Sequence, residues 1–291
     1  MLDVFFISMH EEGCEANWQR LLEIAPNAKR VDNVKGIYEV HKACAMLSTT
    51  DNFYVVDADA WIVNGFNFRW SPNHDTLHWG VPEDECVLVW QSINPVNELE
   101  YGYGGVKLFP RLPFLEDLTW DIDLSTTIGR STVSMEQVSC KTRFNVTPKS
   151  AWIGAFRECA KLASLSMIKS RIRRAKRNEA YELRQLFEFC KSQTGWSPEK
   201  QATHRRVQSI IIIDRYATES SIYSYWEEIE MCSKRRLTWC THGWHTPNGQ
   251  YALSGAHAGA AFGLKYGDDL VTLNQINDWN WLTKEFENVN V

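Results

Sequence analysis

The chain has 291 residues, a formal net charge of −5 and 44% hydrophobic content, enough apolar mass to build a core and too much for a disordered polymer. The acidic balance argues against a generally basic nucleic-acid coat, so a polyanionic partner would have to meet a local patch. No apolar run approaches a membrane span and the opening MLDVFFISMHEEG has no basic leader, so a cytoplasmic protein without membrane contact is expected. The eight cysteines contain no C-x-x-C pair and sit mostly in apolar or helical patterns. Buried thiols are therefore expected rather than disulfides or a zinc site.

Leu2 to Ile7 reads as a first strand, and the polar Ser8–Gly13 loop at its carboxyl end would face a ligand in a doubly wound fold. Ala16 to Ile24 has helical character ahead of Pro26, and Ala28 to Val31 reads as a short second strand. Gly36 to Leu47 places Ile37, Val40, Ala43, Cys44 and Leu47 at three- and four-residue spacings, an amphipathic helix. Phe53 to Val56 is an unbroken apolar run of β-favouring residues, the pattern of a parallel strand covered on both faces. Asp57 and Asp59 follow as that strand runs out. Two apart in an extended chain, they would point to one spot at the sheet's carboxyl edge and suit Mg²⁺ or Mn²⁺ shared with a diphosphate. The competing reading is a strand-to-loop turn in which one Asp hydrogen-bonds nearby N–H groups.

Val87 to Trp90 and Val106 to Phe109 read as further strands, with a turn at Asn94-Pro95. Between them lies Tyr101-Gly102-Tyr103-Gly104-Gly105, whose glycines allow close backbone approach to a flat ligand and whose tyrosines offer stacking surfaces. A hairpin using the glycines for positive φ explains the same composition. A helix is expected around Arg157 to Leu162. Residues 169–236 read as mostly helical and carry a basic stripe of Lys169, Arg171, Arg173, Arg174, Lys176, Arg177 and Arg184, opposed only by Glu179 and Glu182. It reads as a track for a phosphate backbone or as a solvated helix face. His242, His245 and His257 lie in a Gly-rich region, where each reads as an exposed loop histidine. The aromatic stretch from Asn274 to Val291 is expected to cap the domain or add an interface.

The run VKGIYEVHKACAMLSTTDNFYVVDAD resembles the donor half of GT-A fold glycosyltransferases, in which a Lys/Arg-Gly, an amphipathic helix and a D-x-D strand follow one another. With NPVNELEYGYGGVKLFPR, WDIDLSTTIG, VSCKTRFN and AFRECAKLAS in the same order, the chain is similar to the GT-A DNA glycosyltransferases associated with TET/J-binding-protein oxygenases. The likeness runs from Leu2 to about Ser166 and resumes at Leu237. It implies an α/β, Rossmann-like nucleotide-diphospho-sugar transferase fold. The core would be residues 1–168, with a donor half of about 1–68 and an acceptor half of about 86–168. A helical basic insertion at 169–236 and a C-terminal part at 237–291 would complete it.

The resemblance implies transfer of a sugar from a UDP-sugar to the hydroxymethyl group of 5-hydroxymethylcytosine or 5-hydroxymethyluracil in DNA. Phage DNA in an infected bacterium would be the setting, shielded in this way from host nucleases, with no obligate protein partner. Ser8, Lys35, His41, Asp57 and Asp59 would bind the donor, and Asp57, Asp59 and His242 the Mn²⁺ or Mg²⁺. Asn94, Asn97, Tyr101, Tyr103, Gly104 and Gly105 would form the base pocket, and the stripe from Arg171 to Arg177 would follow the DNA backbone. Glu158 would be the general base, with Asp123 second. Glu158 reads equally as a partner of Arg157 or Lys161, and Asp123 as a cap for the turn at Ser125. Lys35 also reads as an exposed helix-start lysine and His41 as a satisfied, half-buried histidine. A GT-A transferase for a glycan or small molecule is the alternative.

Overall fold

The structure, a computed structural model, describes residues 1–9, 11–78, 80–96, 98, 100–102, 104–116, 124–128, 130–164 and 245–289. The chain opens β1 (Asp3–Ser8), α1 (Cys14–Ile24), β2 (Lys29–Asp32), α2 (Ile37–Leu47), β3 (Asn52–Asp57) and β4 (Ala60–Ile62). A small hairpin of β5 (Leu77–His78) and β6 (Val81–Pro82) precedes β7 (Cys86–Ile93), β8 (Glu100–Tyr101) and β9 (Val106–Pro110). Then come α3 (Leu112–Leu115), α4 (Leu124–Thr127), β10 (Ser131–Thr142) and α5 (Pro148–Ser164), and after the undescribed segment α6 (Gly249–Tyr266), α7 (Leu270–Leu273) and α8 (Trp279–Glu287).

The main sheet is ordered β2-β1-β3-β9-β7-β10-β4, with β8 paired to β7. β1, β2, β3, β7 and β10 run parallel, and β9 is antiparallel between β3 and β7. The fold is thus α/β with a curled mixed sheet. The apolar runs behave as strands buried on both faces should. On one face Val4, Phe6, Tyr54, Val56, Leu88 and Trp90 pack with Leu21 and Trp18 of α1. On the other, Phe5, Ile7, Phe53, Val55, Val87 and Val89 pack with Val40, Cys44 and Ala45 of α2. Each fully buried large side chain contributes about 1.5–3 kcal/mol. Because α1 and α2 cover opposite faces of the sheet, the loops that enter them diverge at the carboxyl ends of the neighbouring strands β1 and β2. An open α/β sheet binds ligands at such a point.

The curl has a local cause. Only Ala58 and Asp59 separate β3 from β4, yet β4 pairs with β10 at the far end of the sheet order. The Arg143 N–H donates to the Asp59 carbonyl at 2.6 Å and the Val63 N–H to Ser139 O at 3.0 Å, which extends that ladder. The sheet must therefore bend back until β10 reaches the end of β3.

Three expectations change. β10 spans 12 residues where no strand was expected, because its middle is exposed and its pairing with β7 is irregular between Met135 and Cys140. The glycines at 102, 104 and 105 do not hold positive φ. A Cβ on Gly104 would lie 2.6 Å from Ser92 Cβ, and one on Gly105 2.7 Å from Ala60 Cβ, so they serve close approach to their own sheet. His257 is exposed on α6, a helix rather than a loop.

α6 lies directly on α5. A Cβ on Gly255, Gly259 or Gly263 would meet the carbonyl oxygen of Trp152, Phe156 or Ala160 at 2.2, 2.1 or 2.3 Å. Four-residue spacing puts these glycines on one helical stripe, which lets the two backbones touch. Trp281 and Phe286 of α8 close over Phe156 and Trp152, the capping role expected of the C-terminal aromatics. Described cysteines Cys14, Cys44, Cys86, Cys140 and Cys159 are free thiols. No helix among the described residues is long and apolar enough to cross a membrane.

Gly259→Ala should lower stability by about 1–3 kcal/mol despite alanine's better helix propensity, since the new methyl meets backbone that cannot rotate away. His257→Ala on the exposed face of the same helix should stay within about 0.5 kcal/mol. Denaturant unfolding of both variants checks the contrast.

Candidate active site

The carboxyl ends of β1, β3, β7 and β10 open onto a cavity of about 320 Å³, at the lower end of the range for small-molecule sites. Ile7 and Asp57 stand opposite one another in the β1–β3 register and both line it. Asp57 ends β3 and Asp59 sits in the tight turn to β4. The turn, rather than an extended D-x-D, brings both carboxylates to the cavity.

Lys107 lies in β9 between buried Val106 and Leu108, and its ammonium is 2.6 Å from Asp57 Oδ2. The Asp59 carboxyl makes no hydrogen bond or ion pair within 4 Å to a described residue. Burial and the neighbouring Asp57 charge push its pKa up to about 7, against the pull of Lys107 and Arg157. His41 forms part of the cavity wall from α2. Its Nδ1 lies 2.7 Å from the Ile37 carbonyl, which can only accept, so Nδ1 carries the proton in the neutral ring. Burial pulls its pKa down to about 4 although Asp57 opposes the shift. His41 is therefore uncharged at neutral pH.

Gly154, Arg157, Glu158 and Lys161 of α5 also line the cavity. The spacing is one helical stripe. The Arg157 Nε donates to Ile276 O at 2.9 Å, which fixes the guanidinium beside Asn277 and Trp279, also in the wall. Tyr101 stands near Glu158. Burial first, then the Glu158 charge, raises the Tyr101 phenol, which stays protonated. Its hydroxyl is 2.9 Å from Thr142 Oγ1, itself 2.6 Å from Ser92 Oγ, which donates to the Cys140 carbonyl at 3.1 Å. Because that carbonyl takes the Ser92 proton, the chain runs Tyr101 to Thr142 to Ser92, each hydroxyl donating to the next.

Of the residues expected from the sequence, the cavity brings together His41, Asp57, Asp59, Asn94, Tyr101 and Glu158. Asn94 spends its side-chain oxygen on the Val96 N–H at 2.9 Å, a local turn bond. Ser8 lies outside the lining, buried and bonded to Asp32 and Arg30; Glu11 represents its loop instead. Lys35 is exposed and away from the lining, and Gly104 and Gly105 are buried against the sheet. Asn97, Tyr103, Asp123, His242 and the basic residues Arg171, Arg173, Arg174, Lys176 and Arg177 lie outside the described residues. Sequence reading missed Lys107, Arg157 and Lys161 as cavity groups. A lysine inside the apolar run VKLFP and a polar stripe on the mostly buried helix α5 were the available signals.

Among the described residues no three His, Cys, Asp or Glu side chains converge as a metal cage. Asp57 and Asp59 alone, the latter without a hydrogen bond or ion pair to a described residue, still fit a hard divalent cation whose remaining ligands are phosphate oxygens and water. No protein-family model, curated protein or solved structure matches this chain.

Asp59 gives a pH prediction. Its folded-state pKa near 7 exceeds the ordinary value of 3.8, so the native state binds more protons between those limits and stability falls as pH rises through that window. Asp59→Asn should flatten this slope and raise stability at pH 8 by about 1–2 kcal/mol, less than full linkage because the group is partly solvated. Denaturant unfolding at pH 5 and pH 8 reads the difference.

Proposed function

We propose that the chain is a GT-A fold glycosyltransferase that moves a sugar from a UDP-sugar to the hydroxymethyl group of a 5-hydroxymethylpyrimidine in DNA. The observation that carries the reading is one cavity at the sheet's switch point. It gathers Asp57 and Asp59 with Arg157, Glu158 and Lys161. Lys35-Gly36, α2, β3 and the two aspartates follow one another in the order expected of a donor half, with Gly36 at φ +102, a conformation glycine tolerates best. The motif order along the chain supports the acceptor class.

When bound, Mn²⁺ or Mg²⁺ would stabilise negative charge on the leaving diphosphate as a Lewis acid. Asp57 and Asp59 would hold it. Arg157 and Lys161 add fixed positive charge across the cavity, where developing phosphate charge is stabilised without reorganisation. In an inverting transfer the acceptor oxygen bonds to the anomeric carbon as the bond to diphosphate breaks. Glu158 takes the hydroxyl proton. Neutral Tyr101, fixed through Thr142 and Ser92, forms the wall beside that carboxylate. A base in duplex DNA would have to leave the stack to reach it.

A glycan or small-molecule acceptor is the second reading, favoured by the modest volume of about 320 Å³. Mass spectrometry of nucleosides from hydroxymethylcytosine and hydroxymethyluracil DNA, treated with Mn²⁺ and a panel of UDP-sugars, separates the two. A sugar-sized mass gain is expected, abolished in Asp59→Ala and slowed about 10²–10⁴-fold in Glu158→Gln. Donor binding without gain on either DNA would transfer the proposal to the small acceptor, and neither donor binding nor transfer would end it.

A further inference from the structure

A positive charge already stands where a divalent cation would meet Asp57. The Lys107 ammonium is 2.6 Å from Asp57 Oδ2, with the lysine side chain 13% exposed and the carboxylate 32%. A pair this sheltered is harder to open than a surface ion pair. Asp59 makes no such pair with a described residue. With both aspartates ionised the three side chains sum to one negative charge, and a divalent cation added to them leaves one net positive charge in a small, partly dry space. The carboxylates Glu11 and Glu158 in the same lining are balanced in number by Arg157 and Lys161, so the surplus is relieved when the ammonium withdraws or an anion arrives. A diphosphate supplies the anion, and a lysine, a compact charge on a flexible four-carbon stem, is the side chain that can change partners.

We propose that Lys107 is an internal counter-cation. It closes Asp57 in the ligand-free protein and moves to phosphate oxygens when cation and nucleoside diphosphate arrive together. This rests on the nucleotide-sugar reading of the cavity. Lys107 is a positioning residue here, and its consequence is mutual dependence: the cation binds weakly alone, the diphosphate strengthens it, and the coupling is reciprocal.

The test is Mn²⁺ binding followed by electron paramagnetic resonance, without and with uridine diphosphate, on the full chain. Wild type is compared with Lys107→Met, Lys107→Gln, Lys107→Arg and Asp59→Ala, each checked for folding by circular dichroism. Lys107→Met should bind Mn²⁺ alone about tenfold tighter or more, since a competing charge worth at least about one decade of affinity is gone. Its enhancement by uridine diphosphate should shrink, and Lys107→Arg should restore wild-type weakness and most of the enhancement. Lys107→Gln is read in the same way should the methionine variant not fold. Wild-type affinity and wild-type enhancement in a folded neutral variant would overturn the counter-cation role and leave the transferase reading standing. Absence of Asp59-dependent Mn²⁺ binding in every protein, with and without uridine diphosphate, would overturn both.

Discussion

The two-residue step from β3 to β4 sets the geometry on which the site depends. Ala58 and Asp59 leave no slack, so β4 can pair with β10 only if the sheet curls back on itself. Curling carries Thr142 and Tyr101 towards Asp57 and Asp59, and α5 follows β10 to close the remaining side. Gly105 marks how tight the closure is. Its backbone oxygen accepts the Asp57 N–H at 2.8 Å, and a side chain there would collide with Ala60. The D-x-D motif is thus a structural corner as well as a pair of carboxylates. The turn expected of that motif is present, but its carboxylates do not cap it: Asp57 pairs with Lys107, and it is the Asp59 backbone carbonyl that takes the Arg143 N–H.

Within the cavity, burial and charge decide which groups are ionised. Asp57 has Lys107 at contact distance. Asp59 has only more distant cations, so burial and repulsion from Asp57 prevail and its carboxyl holds a proton more readily than a free aspartate. His41, pinned by the Ile37 carbonyl and packed at 4.9 Å from the Phe109 ring, pays too much desolvation to charge despite Asp57 nearby. Tyr101 is held as a phenol for the same reason. The lining thus gathers carboxylates from β3, its following turn and α5, cations from β9 and α5, and the neutral His41 and Tyr101.

The strands and helices that the chain buries on both faces were legible in the sequence. β1, β3 and the start of β7 are continuous apolar runs, and α2 shows its helical period. β10 was not, because Glu136 and Gln137 stand exposed in its middle and bulges break its alternation. The aspartates and Tyr101 are legible from residue type and position, whereas Glu158 is implied by the family resemblance. Lys107 lies inside a strand whose apolar neighbours dominate the pattern, and its pairing depends on a partner 50 residues away. Ser8 and Lys35 were placed by their neighbourhood at strand and helix ends. Ser8 is drawn instead into the Asp32 and Arg30 cluster, while Lys35 points to solvent. Tertiary pairing settled these positions, and local pattern carries little of it.

The cavity's second wall depends on a contact remote from the chemistry. Trp152, Phe156 and Ala160 offer their carbonyls to the glycine stripe of α6, while Gly154, Arg157, Glu158 and Lys161 occupy another face of α5. A helix cannot rotate to relieve crowding on one face without turning the other by the same angle. Arg157 adds a second restraint, since its Nε bond to Ile276 O and its placement beside Asn277 tie the cavity face to the segment leading into α8. The α5–α6 glycines therefore fix more than stability: by holding α5 in one rotational setting they set the direction in which Arg157, Glu158 and Lys161 face Asp57 and Asp59. The same packing that makes α6 intolerant of a single methyl group therefore holds the α5 stripe that lines the cavity.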